Sequence, residues 1–193
     1  MKKIITIIII LANNLFLFCQ EGVEVPLTTP AFDILSGTYK KDLDNVLDPY
    51  IGTWIGINNN KKFTFQIDKY EKKIFQSSNG KYYYCDVLIG RYRFEDLISG
   101  NIYGDHLDNY DYDSAKIISL SKPKNNTFKL MFEDNELCYN NALITLLGNP
   151  FNNQLAYRYN YIGEIFMVDH CPFSNPNLIP IPIPTTNMNL IKQ

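Results

Sequence analysis

A chain of 193 residues, 46% hydrophobic and 20% charged, is long enough for one domain with a substantial core. Its formal net charge of −2 lacks the basic excess that nucleic acid or an anionic membrane surface selects as a partner. The 12 Phe and 14 Tyr suit strands, whose pleated surface takes broad side chains, although AT-rich codons for Lys, Asn, Ile and Tyr supply part of the tyrosine count.

Met1, Lys2 and Lys3 form a short basic start, and residues 4–18 are almost wholly apolar, interrupted by Thr6, Asn13 and Asn14. This pattern predicts a secretory signal peptide over residues 1–19. The apolar run is shorter than the roughly 20 residues of a membrane span, so no transmembrane segment is expected in the mature chain. Cys19 invites lipid attachment, but Phe18 stands where that modification wants a small residue. The expected cut leaves Gln20 first and places the protein in the periplasm, at the cell surface or outside the cell. Residues 20–47 read as an extended lead-in containing Pro26 and Pro30. Near its end, Leu43, Val46 and Leu47 share one side of one or two helical turns, capped by Asp42 and ended by Pro49.

From residue 48 to residue 171 the hydrophobic period is close to two. Phe63, Phe65 and Ile67 alternate with Thr64, Gln66 and Asp68, which predicts a half-buried strand entered through a turn at Asn58, Asn59 and Asn60. Residues 82–94 form a long aromatic strand in which Gly90 marks a bulge or a close backbone approach. Residues 117–120 and 128–132 pair across Pro123, Asn125 and Asn126. Residues 142–147 and 155–161 pair across Gly148, Asn149 and Pro150, and residues 165–168 add one more strand. The spacing predicts an all-β domain, an antiparallel curled sheet or barrel of about eight strands. The tail, residues 172–193, carries Pro180, Pro182 and Pro184, which suit a polyproline-like strap at an edge, with a short strand over 187–192.

Gly52, Thr53 and Trp54 resemble the Gly-x-Trp signature that opens the first strand of lipocalins. With Phe63 and Phe65 after the turn, they also resemble the start of avidin-type barrels. The resemblance implies a calycin-like barrel in which Trp54, flanked by Gly52 and Gly56, closes one end against an arginine from a late strand, here Arg158. Such a pair stabilises a fold by about 0.5–2 kcal/mol. The tail lacks the helix that follows a lipocalin barrel. Gly56 occupies the place where avidins carry a polar contact to biotin, so biotin binding is not supported. Across most of the mature chain, Pro26 to Pro30, Asp48 to Trp54, Leu88 to Tyr92, Asp169 to Pro172 and the final eight residues are similar to an uncharacterised family of small secreted flavobacterial proteins, domain of unknown function 6705. That resemblance implies export and brings no activity, ligand or catalytic residue.

Cys85, Cys138 and Cys171 remain after leader removal, and an exported compartment permits one bridge in any of three pairings. Cys138–Cys171 is preferred because it ties the tail to the body, leaving Cys85 as a buried thiol; closing that loop contributes about 3 kcal/mol. His170 and Cys171 are neighbours on an extended chain and point apart, which disfavours a catalytic pair. His106 and His170 lack the paired spacing of zinc enzymes, and no catalytic, phosphate-binding or cofactor motif is present. The carboxylates of residues 105–113 do not follow the EF-hand spacing and read as a solvated loop. The favoured expectation is a non-enzymatic binding module whose apolar interior accepts a small hydrophobic ligand. The alternatives are an envelope-associated interaction module that uses tyrosines or the tail, and a hydrolase using carboxylates such as Asp108 and Asp111.

Overall fold

The computed structural model describes residues 22–30, 33–76, 80–120, 122–137, 140–162, 171, 173 and 179–193. Its strands in chain order are β1 (Glu24–Pro26), β2 (Tyr39–Lys41), β3 (Gly52–Asn58), β4 (Lys61–Gln76), β5 (Tyr82–Asp96), β6 (Ile102–Asp105), β7 (Ile117–Ser119), β8 (Thr127–Asp134), β9 (Asn140–Leu147), β10 (Gln154–Tyr161) and β11 (Met188–Lys192). The expected strands at 63–69, 82–94, 117–120, 128–132, 142–147 and 155–161 are all present, longer than expected except β7, which ends one residue earlier. The strand expected over 165–168 lies outside the described residues.

The path β5-β4-β3-β11-β10-β9-β8-β7 returns to β5, so eight antiparallel strands close into a barrel. Closure removes the exposed edges that a curled open sheet would leave. The β3–β4 turn is the predicted asparagine turn: Asn59 and Asn60 have φ of 49° and 62°, the left-handed pair a tight hairpin needs. The last joint is made by β11, whose Ile191 and Lys192 pair with Ile55 and Trp54 of β3. The C-terminus is therefore a stave of the barrel and not a detachable tail.

Alternation places one face of every barrel strand inside. Trp54, Phe63, Phe65, Tyr92, Phe128, Phe132 and Tyr157 have no exposed surface, and neither do Leu130, Ile144, Leu146 and Leu190. A side chain with no accessible surface adjoins no water-sized void, so these residues fill the barrel axis. Their rings meet in tilted and edge-on pairs, such as Phe63–Tyr157 at 5.3 Å and Tyr92–Phe132 at 6.2 Å. Gly90 of β5 makes this possible, because a Cβ there would lie 2.3 Å from Phe65 Cε2. The close-approach reading of Gly90 holds, and the bulge sits instead in β4, between Tyr70 and Lys73.

Both ends are stoppered. At one end, residues 42–51 cross the mouth. The Asp42 carboxylate accepts from the Val46 and Leu47 amides, four and five residues on, and not from the second or third amide as an N-cap does. No helix follows it: turns lead to a 3-10 turn at Asp48–Tyr50 in which Pro49 is an early residue rather than the terminator. Proline fits there because the first amides of a helical turn have no internal acceptor. Leu47 and Tyr50 point into the core, with the Tyr50 ring tilted against Phe128 at 4.7 Å. At the other end the proline-rich segment is the expected strap. Ile183 is buried and the Tyr157 hydroxyl donates to the Pro184 carbonyl at 2.8 Å.

β4 and β5 run past the barrel. β3 pairs with β4 only as far as Ile67, while β4 and β5 stay paired to Gln76 and Tyr82. This projecting hairpin is widened by the lead-in. β2 pairs with β5 through Tyr39 and Lys40, and β1 pairs with β2, both parallel. The lead-in is thus more than a surface strand: it completes a four-stranded arm. Asp86 locks it in place, accepting from the Tyr39 hydroxyl at 2.5 Å, the Asp42 amide at 2.9 Å and the Lys72 amide at 3.2 Å.

Candidate functional site

Trp54 is fully buried, and its indole N–H donates to the Tyr50 carbonyl at 2.8 Å. It therefore packs at the end crossed by residues 42–51. The cation over its ring is Lys192, with Nζ 5.3 Å from the ring centre, and the same ammonium donates to the Pro49 carbonyl at 3.0 Å. Arg158, expected in that place, is exposed. The reason is parity: Leu155 and Tyr157 of β10 are buried, so Arg158 points outward. Gly52 and Gly56 leave room for β11 more than for Trp54. A Cβ at Gly56 would lie 2.7 Å from Leu190 Cδ2, and one at Gly52 would lie 3.0 Å from Lys192 Cε. Lys192→Met is expected to cost about 1–2 kcal/mol of unfolding free energy and Arg158→Met less than about 0.5 kcal/mol, read from urea midpoints.

Two joints of the barrel rest on two residue pairs each, β3–β11 and β5–β7. β5 and β7 share only the pairs Ile89–Ile118 and Gly90–Ile117. At the next position the Leu88 amide donates to the Ser119 hydroxyl at 3.0 Å, in place of a ladder bond. Beyond it β5 leaves β7 to join β2 in the arm. A cavity of about 140 Å3 opens in this fork. Leu47, Phe75, Val87, Ile118 and Leu120 supply its apolar walls, with Cys85, Ser119 and Asp86 between them and Lys40 and Lys122 also lining it. The volume is below the roughly 300–1,000 Å3 of a site for a drug-sized ligand, and suits the end of an alkyl chain or a small ring.

Among the described residues the one thiol of the cleft is not an activated nucleophile. Cys85 is a free cysteine, and burial pushes its thiol up to about 11 although Lys40 pulls the other way. It stays protonated at neutral pH, unlike the thiolate that nucleophilic catalysis needs. Burial also raises the Tyr83 phenol.

The other expected residues lie elsewhere. Asp108 and Asp111 are exposed on the β6–β7 connection, and the Asp111 carboxylate accepts from the Asp113 amide. His106 packs its ring 5.1 Å from Tyr92, and burial with the nearby Lys116 holds it below the ordinary histidine range. Lys116 bridges Asp134 at 2.8 Å and Glu136 at 2.7 Å. Among the described residues no three His, Cys, Asp or Glu side chains are grouped to hold a metal ion. Cys171 is half-buried, with Sγ 3.5 Å from the Phe173 carbonyl oxygen. Cys138 and His170 lie outside the described residues, so the Cys138–Cys171 pairing does too. Sequence reasoning singled out Cys85 only as a buried thiol and missed Lys40, Val87 and Ile118. The outward parity of Val87 on β5 and Ile118 on β7 was readable, but the fork that gathers them with Lys40 of β2 was not.

Among the described residues no helix is long and apolar enough to cross a membrane. No curated protein and no solved structure matches the chain. A family of unknown function, DUF6705, matches residues 1–193. Since that match covers the whole sequence, the chain belongs to the DUF6705 family.

Proposed function

We propose that the protein is an exported, non-enzymatic binding module that holds a small apolar group in the fork between β5 and β7. One observation carries this reading: the barrel axis is filled by side chains, while the fork leaves an apolar recess open to the outside. The ligand site of this calycin-like protein is then beside the barrel, not within it. Saturation-transfer NMR with 1-octanol tests it. Binding is expected for the native protein and is lost in Ile118→Trp, which fills the recess from its outer wall. Absence of binding, or binding unaffected by the substitution, overturns the reading.

Export rests on the basic start and apolar run of residues 1–19, and it permits the Cys138–Cys171 bridge. Thiol titration of the denatured, unreduced secreted protein is expected to find one free thiol, that of Cys85. Three free thiols would refute the bridge.

The arm favours a second reading, an envelope-associated interaction module. β4 has no β3 partner beyond Ile67, and Ile74 on that stretch is exposed. Sheet edges of this kind accept a further strand from a partner. Bulging at Tyr70–Lys73 and the charges of Glu71, Lys72 and Lys73 oppose indiscriminate pairing.

A further inference from the structure

We propose that the fork takes an amphiphilic anion, an alkyl chain ending in a carboxylate, with the carboxylate paired to Lys40 and the chain laid between β5 and β7. This inference rests on the fork being the ligand site and adds the chemical class of the ligand.

The recess holds a lysine that no carboxylate among the described residues neutralises. Several lysines of the arm and barrel are held by acidic partners: Lys41 by Glu24, Lys62 by Glu95, Lys69 by Asp42 and Asp48, Lys73 by Asp113, Lys116 by Asp134 and Glu136. Lys40 differs. It lines the cavity, and among the described residues no carboxylate forms an ion pair with it. Asp86 lines the same cavity but is buried and already accepts from Tyr39, Asp42 and Lys72. It is held in place on the arm. The remaining titratable groups facing the recess are the Cys85 thiol and the Tyr83 phenol, both uncharged at neutral pH, and Lys122. Lys73 shares the Cys85 face through its strand register and is held by Asp113 at 3.3 Å. The recess therefore presents a cationic side and an apolar floor of Val87, Ile118, Leu120 and Leu47. A carboxylate on a Lys ammonium at the rim of an apolar site forms a charge-assisted hydrogen bond without a large desolvation penalty.

Calorimetric titration of the full folded protein with octanoate, 1-octanol and octylammonium tests this. Octanoate is expected to bind about tenfold more tightly than octanol, the equivalent of one charge-assisted hydrogen bond, and octylammonium more weakly than either. In Lys40→Met the octanoate preference should vanish while octanol affinity stays within about twofold, since the chain contacts remain. An unchanged thermal midpoint shows that this variant is folded. Equal binding of octanoate and octanol by the native protein overturns the inference and leaves the fork as an apolar site. A preference that survives Lys40→Met overturns the assignment of Lys40. Binding of none of the three probes overturns both the inference and the reading beneath it.

Discussion

A chain truncated after Asn187 is expected to show no cooperative unfolding transition and no native β-sheet circular dichroism. β11 is only five residues long, yet it closes the ring between β10 and β3. Met188 and Leu190 point into the core and are buried. Losing either apolar side chain costs about 2–5 kcal/mol, and losing the strand also leaves two long edges unpaired. A domain of this size has a net stability of about 5–15 kcal/mol, so the truncation removes most or all of it. Leu190→Ala should fold but lose about 2–5 kcal/mol in urea titration. If the truncated chain unfolds cooperatively at the native midpoint, the barrel is not closed by its C-terminus.

The second large effect is on alkaline stability. Tyr39, Tyr50, Tyr83, Tyr92, Tyr157 and Tyr159 all have phenols raised above their ordinary value, each chiefly by burial, and Tyr39 also by its hydrogen bond to Asp86. Below pH 10 both folded and unfolded chains keep these protons. Above it the unfolded chain releases protons that the folded chain holds, so stability falls as pH rises. Each fully held proton contributes a slope of about 1.4 kcal/mol per pH unit, and Tyr92 and Tyr157 alone about 2–3 kcal/mol per unit. The Cys85 thiol, pushed up to about 11, adds a weaker loss that begins near pH 9. Urea midpoints should be nearly level from pH 7 to 9 and drop steeply from pH 10 to 11.5. Tyr92 offers a clean control, because its buried hydroxyl has no hydrogen-bond partner among the described residues. Tyr92→Phe is expected to be neutral or stabilising by up to about 1 kcal/mol at pH 7 and to lessen the alkaline slope. A midpoint that stays level to pH 11.5 would contradict the burial of these phenols.

The all-β fold was legible because strand alternation is local. Phe63, Phe65 and Ile67 announce β4, and the three asparagines before them announce the turn, without knowledge of anything distant. The same alternation contained the correction to Arg158. Leu155 and Tyr157 are inward, so their neighbour must be outward, while Lys192 follows Met188 and Leu190 at the inward parity. A family resemblance pointed to an arginine, and parity decides for the lysine. The short helix expected after Asp42 failed for a different reason. Asp42 reaches past the capping amides to those of Val46 and Leu47, because Leu47 and Tyr50 are drawn into the barrel mouth, and tertiary burial outweighs helical propensity over so few residues. The candidate site was hidden because it arises where two strands part. Nothing near Val87 or Ile118 reveals that β5 changes partners from β7 to β2, which is decided by pairing with residues far away in the chain. The hollow interior was expected because barrel and cavity are commonly associated. Its filling follows from size: the inward faces carry so many Phe, Tyr and Trp side chains that an eight-stranded barrel has no volume left over.

The most direct test of the central claim is an amide-resolved NMR titration of the folded protein with octanoate. A ligand seated in the fork should shift the amides of Lys40, Cys85, Val87, Ile118 and Leu120 and leave those flanking Trp54, Phe63 and Tyr157 unmoved. Shifts concentrated on the inward-facing residues of β3, β4 and β10, with none around the fork, would place the ligand inside the barrel and contradict the account.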